Sequence, residues 1–330
     1  MTSNFVKSQS LKMNVITICT LIFMLSMISL MTFGLGADDM GYLRNWNQTY
    51  PLYDYIINNY EMHNSALEIF YLYIFAFFKM FTNNFEIVKF FNTLVTLSVL
   101  AYSYYKISSK YYLYMFTYTI MYLFLDFNID QFRNALAASL SLLSIIYFME
   151  NKNKKSLLLM LISILIHNSM IWILIVYFIR NDKIKIISFI SIIGLIIYGG
   201  LNDILFYFSD LYFHTSHIAE KVYGYLQNDS FQKDASLYSL VFLKSFFIYL
   251  FLKYQRIDND IVRVYFFGLL FYVLLSDWGI FSSRIIRDIL ILEPILIYWL
   301  LNKNKQYILI VLPILLFNLF SKNLLILGRF

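Results

Sequence analysis

Three arginines next to long apolar segments are the first candidates for chemistry in this sequence. Arg133 opens a run that contains no other charged residue up to position 149. Arg284 and Arg287 are three residues apart, so they share one face of a helix. A guanidinium group binds phosphate oxygens through two parallel hydrogen bonds, and it stays protonated even where it is buried. The pattern therefore indicates a site for a phosphate-containing molecule.

The same arginines could instead be membrane anchors. Long cationic side chains at the ends of membrane helices reach the lipid headgroups. Asp130 precedes Arg133 by three residues and Asp288 follows Arg284 by four, so each arginine has a carboxylate within helical reach. Lysine distinguishes the two roles, because it anchors as well as arginine but has no planar fork.

Three further residues are candidates for proton transfer or substrate binding. His167 lies in the middle of the uncharged run 156–179, and a neutral imidazole can accept a proton near physiological pH. Asp38 and Asp39 follow the first apolar segment, and Asp39 is a second candidate for a general base. Each also has a structural interpretation: a hydrogen-bonded core histidine for His167, and the hydrated start of a loop for the two aspartates.

Motifs for nucleotide or metal chemistry are missing from the sequence. It contains no Walker loop, no GxGxxG after a strand, no GxSxG and no HExxH. With one cysteine and four scattered histidines, it can form neither an intrachain disulfide nor a Cys/His zinc cluster. We therefore expect chemistry without a cofactor or a metal. Nucleic acid is not an expected partner either, because the net charge of +6 comes from cations between apolar segments.

The elements that position these residues must be membrane helices. Of the 330 residues, 60% are hydrophobic and 14% are charged, whereas soluble domains have about 25% charged residues. The uncharged stretch 13–37 alone can span a hydrocarbon core of about 30 Å. A membrane barrel would show alternating segments of about ten residues, so the sequence predicts an all-α fold. We expect a polytopic transmembrane helical bundle, one integral domain over 1–330 with about 10 to 12 membrane segments.

The remaining apolar runs and the cations between them predict the orientation. The runs lie at roughly 90–105, 111–125, 133–149, 186–202, 236–252, 264–281, 285–301 and 306–321. Six short segments hold 15 of the 26 lysines and arginines and are expected in the cytoplasm: 1–13, 106–110, 151–155, 180–185, 253–263 and 302–306. The long loops 37–64 and 201–235 are acidic, and we expect both outside.

Two segments do not fit a simple series of crossings. The run 156–179 has lysines or arginines on both flanks, which would put one cationic flank outside if it crossed once. We therefore predict a helical hairpin with its apex at 167–169. The segment 65–82 must begin and end outside, and it is predicted to be a re-entrant or interfacial helix.

Four short motifs also occur in a characteristic order. They are GADDMGY at 36–42 followed by Glu68, IDQFRNALA at 129–137, HNSM at 167–170, and Arg284 ahead of Glu293-Pro294. Their order and spacing resemble the EpsG family of bacterial exopolysaccharide polymerases, which are similar to Wzy-type O-antigen and capsule polymerases. The resemblance extends over most of the chain.

The resemblance implies glycosyl transfer from an undecaprenyl-pyrophosphate-linked glycan to a hydroxyl of another lipid-linked unit. The reaction takes place on the outer face of the bacterial cytoplasmic (inner) membrane, in a multi-pass protein. Partners would be the lipid-linked glycan, membrane lipid, and flippase and chain-length regulator proteins. Catalytic residues would be His167 and Asp39. Substrate-binding residues would be Arg133, Arg284, Arg287, Asp38, Tyr42 and Glu68.

Two other functions remain open at this point. A flippase of the same lipid-linked oligosaccharide would also contain buried arginine and histidine, but it should show internal repeats and cations across the whole membrane depth. A non-catalytic membrane subunit of a polysaccharide synthase complex would tolerate any single arginine or histidine substitution. Lipid-linked glycans from a deletion strain distinguish a polymerase, whose loss leaves single repeats outside, from a flippase, whose loss leaves them inside.

The hairpin can be tested by cysteine-accessibility labelling at positions 153, 168 and 183. We expect labelling of 153 and 183 from the cytoplasmic side and of 168 from the outside. Labelling of 153 and 183 from opposite sides would show that the run 156–179 crosses the membrane once.

Overall fold

The computed structural model describes residues 2–34, 36, 38–58, 67–121, 123–177, 240–275 and 279–307. Within these ranges the regular structure is helical and no strand occurs. The prediction of an all-α fold is confirmed for this part of the chain. The apolar run 186–202, the loop 201–235 and nearly all of the run 306–321 lie outside the described residues.

Twelve α-helices and three short helices of other types are found in the described ranges. The α-helices are α1 (Thr2–Met31), α2 (Asp39–Gln48), α3 (Leu52–Ile57), α4 (Ile69–Lys79), α5 (Phe85–Ile107), α6 (Tyr111–Ile120), α7 (Phe132–Met149), α8 (Asn153–Ile166), α9 (Leu240–Tyr254), α10 (Asp260–Leu274), α11 (Gly279–Leu290) and α12 (Glu293–Lys303). The others are a π-helix at Phe124–Asp130 and 3₁₀ helices at Asn168–Tyr177 and Lys305–Tyr307. The chain forms two compact units, Met1–Met170 with Asn304–Phe330 and Ile171–Lys303. One integral domain over the whole chain stays a prediction.

Two of the described helices are long and apolar enough to cross a membrane. They are α5 with 23 residues and α7 with 18 residues. Shorter apolar helical segments are found at Val15–Met31, Phe70–Lys79 and Asn168–Tyr177. The 11 residues of α4 rise about 16 Å, roughly half of a hydrocarbon core. This length fits the re-entrant or interfacial helix predicted for 65–82, whose placement stays a prediction, as does the total of 10 to 12 membrane segments.

Helix α7 is the centre of the first unit and packs against α8 along a row of small polar side chains. The hydroxyls of Ser141 and Ser163 lie 2.6 Å apart, and Ser163 also donates to the Ala137 carbonyl at 2.7 Å. Ser144 donates to the Ser156 carbonyl at 2.7 Å. Small residues allow the two backbones to approach closely, and the hydroxyls need no water. The pairing is antiparallel, so the start of α7 lies level with the end of α8.

The predicted break in the run 156–179 is present. Helix α8 ends at Ile166, and the next helix is a separate 3₁₀ helix that begins at Asn168. His167 joins them with an extended backbone, φ −150° and ψ 109°. The break therefore falls at the predicted apex, while the membrane topology of its flanks stays a prediction.

Two apolar runs are divided where the sequence analysis expected single segments. The run 111–125 ends as an α-helix at Ile120, and a π-helix follows from Phe124. The run 285–301 is interrupted between α11 and α12, because Pro294 has no backbone N–H and is tolerated only in the first turn of a helix. In the sequence Arg284 directly precedes the run 285–301, which predicts that it opens a span; that prediction was wrong, since Arg284 lies in the middle of the 12-residue helix α11.

A buried carboxylate joins three helices of the second unit. Glu293, the first residue of α12, is fully buried. It lies 2.6 Å from Lys244 Nζ on α9 and accepts hydrogen bonds from the Ser245 hydroxyl at 2.7 Å and the Tyr265 hydroxyl of α10 at 2.9 Å. All of these donors come from the unit itself, so the carboxylate fixes the packing of α9, α10 and α12.

Helix α11 packs tightly against α10 at a glycine. A Cβ atom on Gly268 would lie 2.2 Å from Cγ2 of Ile289 and 3.2 Å from the Trp172 ring. A larger residue there would force the Ile289 side chain of α11 to shift. The glycine thus sets how closely α11, which carries two of the candidate arginines, approaches its neighbour.

Candidate functional site

The candidate site of the first unit is built around the carboxylate of Glu68. Arg133 Nη1 forms an ion pair with its Oε2 atom. His167 Nδ1 lies 3.4 Å from its Oε1 atom, which also accepts a hydrogen bond from the Asn168 N–H at 3.3 Å. We call Glu68, Arg133 and His167 the Glu68 cluster. It joins three segments that are far apart in the sequence.

Helix ends place these three side chains together. Glu68 is the residue before α4, Arg133 is the second residue of α7, and His167 follows the last residue of α8. The antiparallel pairing of α7 with α8 brings Arg133 and His167 to the same level. The pairing of Arg133 with Glu68 also replaces the local pairing with Asp130 that the anchor interpretation required.

The cluster is mostly but not completely buried. Side-chain exposure is 11% for Glu68, 11% for Arg133 and 7% for His167. Burial strengthens the attraction between the charges, because little water screens them. Each of the three side chains keeps a small accessible surface.

Tyr42 covers the guanidinium group of Arg133. Its ring packs on Phe132 with the centroids 4.3 Å apart, and Arg133 Cζ lies 6.0 Å from the centroid of the Tyr42 ring. The Phe132 carbonyl accepts a hydrogen bond from Asn92 Nδ2 at 2.7 Å, and Asn92 in turn accepts from the Tyr71 hydroxyl at 3.1 Å. These contacts fix the first turn of α7, and with it the direction of Arg133.

Asp39 is fully engaged in a separate, fully buried ion pair. Lys89 Nζ lies 2.7 and 2.9 Å from its two carboxylate oxygens. The Gly34 and Gly36 N–H groups donate to Oδ2 at 2.9 and 3.1 Å. Asp39 is therefore not a hydrated loop residue, and the arrangement favours a positioning role over general-base catalysis. Asp38 beside it is exposed.

The turn held by Asp39 favours glycine at two positions, each for a different reason. Gly34 has a left-handed backbone with φ +89°, and a Cβ atom on Gly36 would lie 2.6 Å from the Ile129 carbonyl oxygen. Because Ile129 belongs to the π-helix just before α7, Asp39 and Lys89 together hold the connection from α1 to α2 against the start of α7.

Arg284 and Arg287 belong to the second unit. Both side chains are half-buried on α11, and their spacing places them on one side of that helix. The buried Asp288 beside them accepts a hydrogen bond from the Trp172 indole N–H at 3.2 Å. Among the described residues, no group of three or more metal-binding side chains could hold a metal ion.

Lys89 and Lys244 are buried cations that the sequence analysis missed. Lys89 directly precedes the apolar run 90–105, a position at which hydropathy alone does not predict burial. Lys244 lies inside the run 236–252, and its partner Glu293 lies inside the run 285–301. An ionisable residue within an apolar run indicates a buried pair, so the sequence could have predicted that Lys244 is buried with a partner.

The Asp39–Lys89 pair predicts a specific pattern of stability. Lys89→Met leaves the Asp39 carboxylate buried without its cation, which should cost about 3 to 5 kcal/mol of unfolding free energy. The double substitution Asp39→Asn with Lys89→Met removes both charges and keeps an oxygen for Gly34 and Gly36. It should recover much of that loss. Thermal unfolding of the purified protein in detergent measures both effects.

Lys110→Met is the control, because Lys110 is exposed. It should change the unfolding temperature little. Equal unfolding temperatures for Lys89→Met and Lys110→Met would contradict the positioning role of the buried pair.

Comparison with known protein families identifies the family of this chain. The model of the EpsG family matches residues 15–328, which include all eight candidate residues. Neither the curated proteins nor the solved structures contain a match to the chain. The family match, together with the apolar helices α5 and α7, indicates an integral membrane protein with an exopolysaccharide polymerase-like function. The chain belongs to the EpsG family.

Proposed function

We propose that this protein is a polysaccharide polymerase of the bacterial cytoplasmic membrane. It joins undecaprenyl-pyrophosphate-linked oligosaccharide repeat units at the outer face, as a multi-pass glycosyltransferase. The observation that carries this proposal is the Glu68 cluster, in which a histidine, a carboxylate and an arginine meet in a chain of this family. Flippase and chain-length regulator proteins are the proposed partners.

His167 is the proposed general base. The Glu68 carboxylate beside Nδ1 favours a proton on that nitrogen, which leaves Nε2 able to accept one. The acceptor hydroxyl attacks the anomeric carbon of the donor glycan, and His167 Nε2 takes the hydroxyl proton. Glu68 then stabilises the imidazolium that forms. Arg133 holds the carboxylate in place from the other side.

The leaving group is the lipid pyrophosphate, which departs with the electron pair of the broken carbon–oxygen bond. Negative charge grows on it as the bond breaks, so a fixed cation lowers the barrier. Arg284 is the proposed cation for the pyrophosphate, with Arg287 beside it on α11. Both are half-buried, where water screens a charge less than on an open surface.

The two alternatives lead to different products in a deletion strain. Without a polymerase, single lipid-linked repeats accumulate at the outer face and can be labelled from outside. Without a flippase, the repeats stay inside. A non-catalytic subunit predicts that no substitution in the Glu68 cluster abolishes polymer while the protein level is kept. Gel analysis of lipid-linked glycans from intact and opened cells distinguishes a polymerase from a flippase, and the substitutions distinguish a polymerase from a non-catalytic subunit.

Substitutions of His167 test the general base. His167→Ala and His167→Gln should both lower the rate of polymerisation by about a hundredfold or more, because glutamine can hydrogen-bond but cannot take up a proton. Glu68→Gln should also be severely impaired, since the amide no longer stabilises the imidazolium. The measurement is the glycan ladder made by membranes with matched protein levels.

Glu150→Gln is the matched control for Glu68→Gln. Glu150 follows α7 at its other end and pairs with Lys106 at 2.8 Å and Lys152 at 2.7 Å. Hydrogen bonds from Lys106 and Lys152 lower the pKa of the Glu150 carboxyl, so Glu150 is ionised at neutral pH. Glu150→Gln therefore removes one negative charge, as Glu68→Gln does. Its ladder should equal that of the unmodified chain. Chain lengths in His167→Ala that match those of the control would leave only the structural interpretation of His167.

Arg284 is tested by its response to lysine. Arg284→Ala should be inactive, because a contact made more strongly in the transition state is worth about 3 kcal/mol, or roughly a hundredfold in rate. Arg284→Lys should be severely impaired, since lysine offers a point charge without the fork. A headgroup anchor predicts full activity for lysine. Full-length polymer from the lysine variant would refute the pyrophosphate role.

A further inference from the structure

Asn134 is a buried amide for which the fold provides no visible use. The residue is 3% exposed, and within the described part of the chain neither its Oδ1 nor its Nδ2 has a hydrogen-bond partner. Among the described residues, Asn134 is the one side chain with two buried polar atoms that lack a hydrogen-bond partner. Buried polar groups in native proteins are nearly always hydrogen-bonded, so an exception needs an explanation.

Asn134 lies at the level of the Glu68 cluster. Along α7 it precedes Ala137 by one turn and Ser141 by two, so the three residues share one face. That face is the one that meets α8, because Ser163 of α8 contacts both Ala137 and Ser141. Continuing the antiparallel pairing by one turn puts Asn134 level with the end of α8, where His167 follows. Its neighbour Arg133 is already in the cluster, and the Arg133 Nε atom is likewise buried without a hydrogen-bond partner.

The chemistry of the amide selects the kind of group that it could bind. Nδ2 is a donor and Oδ1 is an acceptor, so the two together match a ligand group that both accepts and donates. A sugar hydroxyl does both. A pyrophosphate only accepts, and a lipid tail does neither. A site that hydrogen-bonds a substrate hydroxyl also rejects analogues that lack it, because its own polar atoms are then left unpaired.

We propose that the Asn134 amide binds a hydroxyl of the glycan beside His167 and thereby selects the sugar that reacts. This inference rests on the proposed polymerase function. The free protein keeps an unpaired buried amide so that the glycan can satisfy it. Asn92 offers the contrast, because it is almost equally buried and its amide atoms bond Tyr71 and Phe132.

The test compares Asn134→Leu with Asn92→Leu. Leucine has the same number and branching of side-chain heavy atoms as asparagine but no polar atoms, so removing an unsatisfied amide should leave the protein as stable as before or more stable. Removing the Asn92 amide leaves the Tyr71 hydroxyl and the Phe132 carbonyl without these hydrogen bonds, which should destabilise the protein. We therefore expect an unfolding temperature equal to or above that of the unmodified chain for Asn134→Leu, and a clearly lower one for Asn92→Leu. Asn134→Ala provides a second variant without a branched side chain.

Substrate binding and turnover are measured on the same preparations. The probe is single undecaprenyl-pyrophosphate-linked repeats extracted from a strain that lacks this chain. They should raise the unfolding temperature of the unmodified protein and raise that of Asn134→Leu much less, because ligand binding stabilises only a protein that binds. The rate of ladder formation by Asn134→Leu should fall about tenfold or more, the effect of losing two hydrogen bonds to the substrate.

Each other outcome has a distinct meaning. An Asn134→Leu protein that is less stable than the unmodified chain shows that the amide is satisfied without substrate, for instance by a buried water, and overturns the inference. A stable variant with unchanged ligand response and unchanged rate overturns it as well. If the repeats stabilise the unmodified protein but no ladder forms, the proposed polymerase function fails, and the ligand response of Asn134→Leu still decides the inference. If the repeats neither stabilise the unmodified protein nor form a ladder, both the proposed function and the inference are overturned.

Discussion

The carboxylate of Glu68 is the interaction on which the first unit of this EpsG-family protein depends. It lies against a guanidinium and an imidazole in a region with little water, where an unpaired charge would be costly. Three chain segments must therefore converge before any one of their ionisable groups is tolerated there. The same constraint orients the histidine, because the carboxylate that neutralises Arg133 also faces Nδ1 of His167.

A second carboxylate supports the first from outside the proposed chemistry. Both carboxylate oxygens of Asp39 accept hydrogen bonds from Lys89, and Oδ2 also accepts from two glycine N–H groups. Asp39 thus fixes the turn that lies against the start of α7. The unit thus separates two kinds of acidic residue that look alike in the sequence. Asp39 is fully buried, and the fold supplies all of its partners. Glu68 keeps some exposure and lies beside a histidine.

Prediction from sequence succeeded where the signal is local. Hydropathy predicted an all-helical fold, which the described residues have, and the cations flanking 156–179 predicted a break at 167–169, directly after the end of α8. It failed where the partner is chosen by tertiary packing. Arg133 pairs with Glu68, 65 residues away, instead of the nearby Asp130, and Lys89 was hidden at the edge of an apolar run. Helix spacing ranks neighbours along one element, and it contains no information about which other helix lies opposite.

The row of serines between α7 and α8 also limits how this seam can change over time. Ser141 and Ser163 satisfy each other, and Ser144 bonds the α8 backbone, so a single replacement by a larger side chain would force apart two closely spaced backbones. Drift at one of these positions is acceptable only with a compensating change across the seam. The contact that sets the height of His167 beside α7 therefore tolerates only paired changes, a constraint that the exposed side of α8 does not share.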